Sequence, residues 1–188
     1  MTVDALIEAT ARLLVKEGFD KVSTNKIAEE AGVSIGSLYQ YYPSKEALVA
    51  AVVDRHHDKV TRIVRQALPN VAAQPLEEAV RQIVTVAIDA HRIDPKLHRI
   101  LTEQIPRTGR LKNVEALSRD NFALVRGYLE GHRDEIRTVD LDFAAFLCVT
   151  TVESLTHAAV LHRPESLAGG ATWRFVDEVT RLVVGYLR

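Results

Sequence analysis

Apolar residues recur along this chain with the spacing of an α-helix, and no segment alternates convincingly as a β-strand would. The first apolar stripe predicts a helix from Val3 to Glu17 that ends at Gly18, since glycine is typical of helix C-termini. The members of this stripe are Leu6, Ile7, Thr10, Leu13 and Leu14. The pattern along the whole chain predicts an all-α fold of roughly nine helices.

Two short helices are predicted after the first one. Ser23 or Thr24 can cap a helix that ends at Gly32, and Ser34 can cap another that ends near Tyr41. Because both helices are short and glycine lies between them, the segment is predicted to be a tight helical pair.

A long helix is predicted next. Ser44 can cap it, Glu46 suits its first turn, and no breaker interrupts its apolar positions before Pro69. From Lys45 to Leu68 it would have roughly 24 residues. The remaining helical patterns are Leu76–Ile93, Pro95–Gln104, Leu111–Gly131, Leu141–Leu161 and Ala171–Leu187.

Helix length divides the chain into two predicted domains. Residues 1–44 hold short helices joined by tight turns, whereas residues 76–188 hold longer helices with broad apolar faces. The long helix between them would serve both halves. We therefore predict an N-terminal domain at residues 1–48 and a larger one at 49–188.

Composition is that of a soluble globular protein. The chain has 188 residues, of which 47% are hydrophobic and 26% are charged, which excludes global disorder. Lys and Arg number 24 against 25 Asp and Glu, so the formal net charge is -1. Bulk charge alone therefore argues against a nucleic-acid partner.

The single cysteine, Cys148, excludes an internal disulfide and any site that needs several thiolates. The longest strongly apolar stretch runs from Phe143 to Val152, about half of the ~18 residues that a membrane span needs. The N-terminus lacks a signal-peptide pattern. We therefore expect a cytoplasmic protein without a membrane partner.

Residues 23–42 carry the candidate chemistry. A short helix, a glycine turn and a second short helix allow the second helix to enter a DNA major groove while the first crosses the backbone. The outward face of the second helix offers small, polar and aromatic groups that suit base edges, thymine methyls and phosphates. A plain helical hairpin is the alternative interpretation of this pattern.

The sequence IAEEAGVSIGSLYQYYPSKEAL, preceded by LLVKEGFDKVST, resembles the N-terminal DNA-binding domain of TetR-type transcriptional regulators. Agreement extends from about Leu6 to Leu48 with fixed spacing and no gap. The resemblance therefore favours a helix-turn-helix over a plain hairpin.

The resemblance also assigns expected roles to individual residues. Thr24 and Ser34 would contact phosphates, and Gly36 would let the helix approach the bases closely. Tyr42 would face the core. Base contacts are implied for Ser37 and Gln40, backbone or phosphate contacts for Tyr39, Tyr41 and Lys45, and a variable recognition position for Ile35.

The N-terminus departs from the family pattern, in which a basic arm usually precedes the first helix. This chain begins Met1-Thr2-Val3-Asp4 and has no arginine before Arg12. Either the arm is dispensable, or the given chain lacks it. Residues 21–45 carry three lysines against two glutamates, so we expect weak non-specific DNA affinity.

The resemblance implies that the last two helices, Leu141–Leu161 and Ala171–Leu187, form a homodimer interface. Burial within a large monomer is the alternative. The predicted interface residues are Val152, Leu155, Ala159, Trp173, Val176, Thr180, Val183 and Val184.

A pocket for a small-molecule inducer is expected among the middle helices, walled by apolar side chains with a few convergent polar ones. Ordinary core packing would give the same spacing. The predicted lining is Ile88, His91, Ile100, Leu101, Gln104, Phe122, Val125, Phe146, Thr150 and Ser154.

The histidine spacing argues against a metal site. His157 and His162 are five residues apart and should not share a helix face, while Pro95 separates His91 from His98. Glycine-rich phosphate loops, the G-x-S-x-G elbow and H-E-x-x-H are missing from the sequence. We expect no cofactor and no catalytic residue.

The sequence as a whole predicts a homodimeric, ligand-responsive repressor. A small, largely apolar ligand would release it from a near-palindromic DNA operator by changing the separation of the DNA-binding domains through the long helix. A helical small-molecule-binding protein or enzyme with an unused DNA-binding-like domain is the alternative. The sequence does not distinguish a repressor from an activator, nor does it identify the ligand or the operator.

Overall fold

The computed structural model of the chain describes residues 2–105, 111–137 and 140–188. Within these ranges all nine longer elements are α-helices and there is no strand, which confirms the all-α prediction. The helices are α1 Thr2–Glu17, α2 Thr24–Ala31, α3 Ile35–Tyr41, α4 Lys45–Val71, α5 Leu76–His91, α6 Pro95–Glu103, α7 Leu111–Gly131, α8 Leu141–His162 and α9 Ala171–Leu187. Short 3-10 turns lie at Phe19–Lys21, Arg133–Glu135 and Pro164–Leu167.

The chain forms two compact units. Unit 1 comprises Met1–Asp58 and Asp94–Val114, and unit 2 comprises Lys59–Ile93 and Glu115–Arg188. This division differs from the expected single boundary at residue 48. Residues 49–58 of α4 and the whole of α6 also belong to unit 1. The amphipathic stripe of α6 shows that one face is buried, but the stripe does not identify the helices on which that face packs.

The core of unit 1 is built from α1, α2, α3, the first half of α4, and α6. Leu6, Leu14, Ile27, Leu38 and Leu48 are completely buried in it. The inward residues of α6 that join the same core are Leu97, Leu101 and Ile105. The predicted stripe of α1 is buried as a whole.

Local capping sets the helix-turn-helix. The Ser23 hydroxyl accepts from the backbone N–H of Lys26, and the Ser34 hydroxyl accepts from that of Ser37. Between the two helices Gly32 adopts a left-handed conformation with φ 68°, and the chain turns there. The predicted turn glycine and the cap at Ser34 are thus confirmed.

Helix α4 is longer than predicted. It begins at Lys45, where Ser44 accepts a hydrogen bond from the Ala47 N–H, and it continues to Val71 through Pro69. Proline removes one helical hydrogen bond but does not forbid helical backbone angles, so a proline in the last turn need not stop the helix. The expected end at Leu68 was wrong by three residues.

The core of unit 2 lies between α5, α7, α8 and α9. Leu76, Ile88, Leu129 and Leu187 are its largest fully buried side chains. Helix α8 is long and apolar enough to cross a membrane by length and composition, with a mean hydropathy of 1.5. A core helix meets the same test, and the residues of α8 that are buried in unit 2 include Ala144, Ala145, Cys148 and Val152.

Candidate nucleic-acid interface

Helix α3 has one buried face and one exposed face. Leu38 is 0% exposed and packs in the core of unit 1 with Ile27 and Ala28 of α2. Because this inner face is fixed by packing, the opposite side of α3 is held as a rigid surface. Such a surface is what a recognition helix presents to DNA.

Most of the predicted contact residues lie on that exposed face. Tyr39 and Tyr41 are each 51% exposed, and Ile35 is 39% exposed. Gly36 and Gln40 are also exposed, while Ser37 is half-buried. Tyr42, predicted to face inward, is half-buried against the unit 1 core, and this burial raises the pKa of its hydroxyl.

Two pairs of hydroxyl groups order this surface. The Thr24 Oγ1 atom of α2 lies 3.1 Å from the Tyr39 hydroxyl of α3, which joins the two helices of the motif. The Ser34 and Ser37 hydroxyls lie 2.8 Å apart at the start of α3. Because hydroxyl groups both donate and accept, the same groups can exchange these bonds for phosphate oxygens.

Lys45 is held at the start of α4. Its ammonium donates to the backbone carbonyl of Phe19 at 3.1 Å and lies 4.2 Å from the centre of the Phe19 ring. Phe19 was not among the predicted site residues, because its pairing with a residue 26 positions away leaves no local sequence pattern.

Two other cations near the motif, Lys26 and Arg12, are paired with carboxylates. Lys26 donates to Glu17 at 2.6 Å and so lowers the pKa of that carboxyl, and Arg12 contacts Glu30 at 2.8 Å. These ion pairs are exposed and add little stability. They leave a motif surface that relies on hydroxyl, amide and aromatic groups more than on charge.

The structure divides the predicted inducer-pocket residues between the two units. Ile100, Leu101 and Gln104 belong to unit 1: Leu101 is buried in its core and Ile100 packs against it. The Gln104 Oε1 atom accepts from the Phe19 backbone N–H at 3.2 Å. These three residues therefore serve unit 1.

The other predicted pocket residues lie in unit 2. Ile88 is buried in the core, and Phe122 of α7 contacts Phe146 of α8 edge-to-face, with ring centres 5.8 Å apart. His91 of α5 lies 5.9 Å from His157 of α8. Val125, Thr150 and Ser154 complete this set on α7 and α8.

Two polar groups that the sequence analysis missed lie on the same two helices. Although Glu153 reaches solvent, the surrounding protein raises the pKa of its carboxyl, and His91 partly opposes that shift. The Asn121 Oδ1 atom is buried without a hydrogen-bond partner among the described residues. Neither feature has a local sequence pattern, since both depend on what surrounds the side chain.

The histidines approach one another more than their spacing indicated. His157 and His162, which were not expected to share a helix face, nevertheless have ring centres 6.0 Å apart. Their long side chains meet near the end of α8. In unit 1, His56 Nε2 and His98 Nδ1 lie 2.8 Å apart in the buried core, so one ring must donate and the other accept.

A cavity of about 720 Å³ lies elsewhere in unit 2, between the end of α4 and α7. Tyr128 forms part of its wall, stacked on His132 and bonded through its hydroxyl to the Gln74 carbonyl at 2.9 Å. Burial raises the pKa of Tyr128 to about 12, so the hydroxyl stays protonated. The remaining lining residues are Arg65, Pro69, Val71, Ala72, Ala123, Leu124, Gly127 and Gly131.

Six of the eight predicted dimer-interface residues are buried within their own unit. They are Val152, Ala159, Val176, Thr180, Val183 and Val184. Their side chains fill the core between α5, α8 and α9, and this packing corrects the predicted face. Leu155 and Trp173, at 36% and 65% exposed, are the two that reach the surface.

Two segments of the chain match known protein families. Residues 6–52 match the family described as "Bacterial regulatory proteins, tetR family", and residues 75–187 match "Tetracyclin repressor-like, C-terminal domain". The second match alone spans more than half of the chain. The chain belongs to the TetR family. This TetR-family protein is a DNA-binding transcriptional regulator with a helix-turn-helix.

Relatives of the TetR-family protein match only part of its length. The nucleoid occlusion factor SlmA of Haemophilus ducreyi is 32% identical over 87 residues, 46% of this chain and 42% of SlmA. The transcriptional activator FasR of Mycolicibacterium smegmatis is 41% identical over 63 residues, 34% of this chain and 29% of FasR. These alignments thus cover less than half of each relative's length.

Solved structures share the fold of the whole chain. FadR, the fatty acid degradation regulator of Bacillus halodurans, has a TM-score of 0.72 at 22% identity, covering 100% of this chain and 96% of FadR. SmeT, the repressor of the Stenotrophomonas maltophilia multidrug efflux pump SmeDEF, has a TM-score of 0.68 at 21% identity, covering 100% and 90%. At these identities the likeness concerns the fold alone.

Proposed function

We propose that this TetR-family regulator is a homodimeric repressor that a small, largely apolar molecule releases from a near-palindromic operator. The observation that carries the DNA-binding part is the exposed face of α3, where polar and aromatic side chains stand on a helix whose other side is fully buried. SmeT, which shares the fold, is described as a repressor.

At the operator, α3 would enter the major groove. Ser37 and Gln40 would read base edges, and Ile35 would contact a thymine methyl. Close approach at Gly36 would bring the helix backbone to the bases. Phosphate contacts would come from Thr24, Ser34, Tyr39, Tyr41 and Lys45.

A dimer would place two copies of α3 about one DNA turn apart, which gives the near-palindromic operator. The exposed apolar residues define the proposed contact surface. Leu182 and Tyr186 are exposed on one flank of α9, and Leu155 is exposed on α8. The half-buried Phe175, which packs against the unit 2 core, shares the flank of Leu182 and Tyr186 by helical spacing. The α8 residues that share the flank of Leu155 are Leu147, Thr151 and Ala158.

The ligand would bind to unit 2 where α5, α7 and α8 bring apolar and polar side chains together. The Phe122–Phe146 pair supplies an aromatic wall, and His91 and Glu153 supply polar groups. The Asn121 Oδ1 atom is a buried acceptor with no partner among the described residues, and such an acceptor is costly unless a donor satisfies it. FadR of Bacillus subtilis, with a TM-score of 0.72 at 17% identity over 98% of this chain and 99% of FadR, was crystallised with stearoyl-CoA.

Operator binding can be tested on a duplex that the wild-type protein selects from a random-sequence library. Tyr39→Ala and Lys45→Ala should each weaken binding in fluorescence anisotropy while the protein stays folded at the temperature of the measurement. Arg174→Ala, an exposed change on α9, serves as the control. Unchanged affinity in both test variants would exclude α3 and α4 as the DNA-binding surface.

Absence of any selected duplex would instead favour a small-molecule-binding protein or enzyme with an unused DNA-binding domain. If a duplex is selected, extracted metabolites can be added to its complex with the protein. An inducer among them should weaken that complex, as expected for a ligand-responsive repressor. Coupling of about 1–3 kcal/mol corresponds to a 5- to 150-fold loss of affinity.

The ligand site can be distinguished from the 720 Å³ cavity between α4 and α7. Gly127→Leu would place a side chain in that cavity and reduce its volume, because a Cβ at Gly127 meets nothing within 4 Å. We expect the response to the active metabolite to persist in Gly127→Leu and to be lost in Phe146→Ala. Loss in Gly127→Leu alone, with Gly127→Ala unaffected, would move the ligand site to the cavity.

A further inference from the structure

The Lys45 ammonium is oriented before any DNA arrives. It donates to the Phe19 carbonyl at 3.1 Å and lies 4.2 Å from the centre of the Phe19 ring, so one residue supplies both a hydrogen bond and a cation–π contact. A lysine has three N–H donors, so these contacts leave a donor for a phosphate. Fixing the side chain in advance reduces the entropy lost when the phosphate contact forms.

Phe19 depends in turn on the end of α6. Phe19 opens a 3-10 turn, where its backbone N–H has no partner within the turn. The Gln104 Oε1 atom accepts that N–H at 3.2 Å. Gly18 permits this approach: its φ is 80°, and a Cβ there would lie 3.1 Å from Gln104 Oε1.

Gln104 itself is placed by α6. Asp94 caps this helix by accepting from the Leu97 N–H at 3.0 Å, and the Gln104 backbone N–H bonds to the Ile100 carbonyl at 3.0 Å. Leu101 anchors the helix in the unit 1 core. The Gln104 residue is exposed, so its side chain adds little to the core and is available for a specific contact.

We propose that Gln104 is a positioning residue for DNA binding: it holds the Phe19 backbone, and Phe19 holds the Lys45 ammonium in place for a phosphate. All three residues belong to unit 1. This role rests on the proposed function, because it assumes that Lys45 contacts operator DNA. It replaces the expectation that Gln104 lines an inducer pocket.

A double-mutant cycle tests the proposal on the selected duplex. Gln104→Ala should weaken binding roughly 3- to 10-fold, which is part of the cost of ordering a free lysine side chain. Lys45→Ala should weaken it further and lower the salt slope by about one. In the Lys45→Ala background, Gln104→Ala should have no further effect, because the cation that it positions is gone.

Glu103→Ala, an exposed change one residue earlier on the same helix, is the matched control and should leave affinity and salt slope unchanged. Additive effects of Gln104→Ala and Lys45→Ala would overturn the positioning role. The positioning role would also be overturned if Gln104→Ala binds the duplex with wild-type affinity while Lys45→Ala binds it weakly. If Lys45→Ala itself binds like wild type, the assumed phosphate contact fails, and that result is distinct from failure of the Gln104 contact alone.

Discussion

At the scale of single residues, backbone conformation decides what a glycine contributes. Gly32 has φ 68° and Gly127 lies in helix α7, yet a Cβ at either position meets nothing within 4 Å. We predict that Gly32→Ala destabilises the protein by about 1 kcal/mol through left-handed strain, and that Gly127→Ala stabilises it by about the same amount.

Urea unfolding of the two alanine variants provides the measurement. The chemical change is identical, so each variant is the control for the other. Destabilisation of both would mean that α7 needs the open space at Gly127, whereas stabilisation of both would contradict the left-handed turn at Gly32.

Cys148 provides a second prediction. It is 7% exposed in the unit 2 core, and burial raises the pKa of its thiol to about 11. Because the thiolate is the reactive form, only about one thiol in a thousand would be ionised at pH 8. Ellman's reagent should therefore label the native protein far more slowly than the urea-unfolded chain.

The rate of native labelling should rise as the pH approaches 11, because burial raises the pKa and so shifts thiolate formation to higher pH. Rapid labelling of the folded protein at pH 8 would contradict the assignment of Cys148 as a structural residue and would indicate a reactive thiol.

Residues whose partners lie nearby in sequence could be predicted. Ser34 caps α3 through an N–H three residues ahead, and Gly32 ends α2, so each contact follows from a local pattern. The contact between Gln104 and Phe19 spans 85 residues. Only the tertiary fold brings such partners together, so spacing could not reveal it.

At the scale of helices, the packing of α3 onto α2 in the unit 1 core controls the presentation of its outer face. Leu38 is 0% exposed, and its replacement by Ala leaves a cavity. We expect Leu38→Ala to cost about 2–5 kcal/mol and to weaken operator binding through misplacement of α3. Ile93→Ala, at a residue that is 43% exposed, should change neither property.

Thermal unfolding and operator titration of these two variants give the comparison. Operator affinity should recover as temperature is lowered, because the contact residues of Leu38→Ala are intact. A variant that stays fully folded and still fails to bind would indicate that Leu38 affects recognition by another route than stability.

The helix pattern predicted the order of all nine helices but not how they are shared between units. Helix α6 follows α5 in the chain, and its stripe of Leu97 and Leu101 is equally suited to either core. The structure assigns α6 to unit 1. Apolar periodicity indicates which face of a helix is buried, but it does not indicate which other helices cover that face.

At the scale of the whole molecule, near-neutral charge has a consequence for recognition. The net charge is -1, and Lys26 is paired with Glu17 beside the motif. Few phosphate contacts by charged groups mean a shallow salt dependence and weak non-specific binding. Specificity would then rest on α3 together with the second copy that a dimer supplies.

The apolar surfaces of α8 and α9 explain why six of the predicted interface residues are buried in unit 2. Helices α8 and α9 are apolar over much of their circumference, because one side fills the unit 2 core and another remains exposed. Sequence alone does not separate these two sides. The exposed residues Leu182 and Tyr186, four apart on α9, identify the outer one.

We therefore predict that Leu182→Glu, combined with Leu155→Glu, disrupts the dimer without unfolding the protomer. Both side chains are exposed, at 55% and 36%, so the charge is tolerated in a monomer but costly in an apolar interface. Light scattering should show the mass of one 20.9 kDa chain. Ile93→Glu adds a charge at another exposed apolar residue and should remain dimeric.

Loss of the dimer should weaken binding to the full operator far more than binding to a half-site. Two linked sites gain roughly 10²- to 10⁴-fold in avidity, and a monomer loses that gain while keeping α3 intact. The half-site affinity of the double variant should therefore equal that of wild type. A double variant that remains dimeric would move the interface away from this face of α8 and α9, whereas a monomer with unchanged operator affinity would show that one copy of α3 is sufficient for recognition.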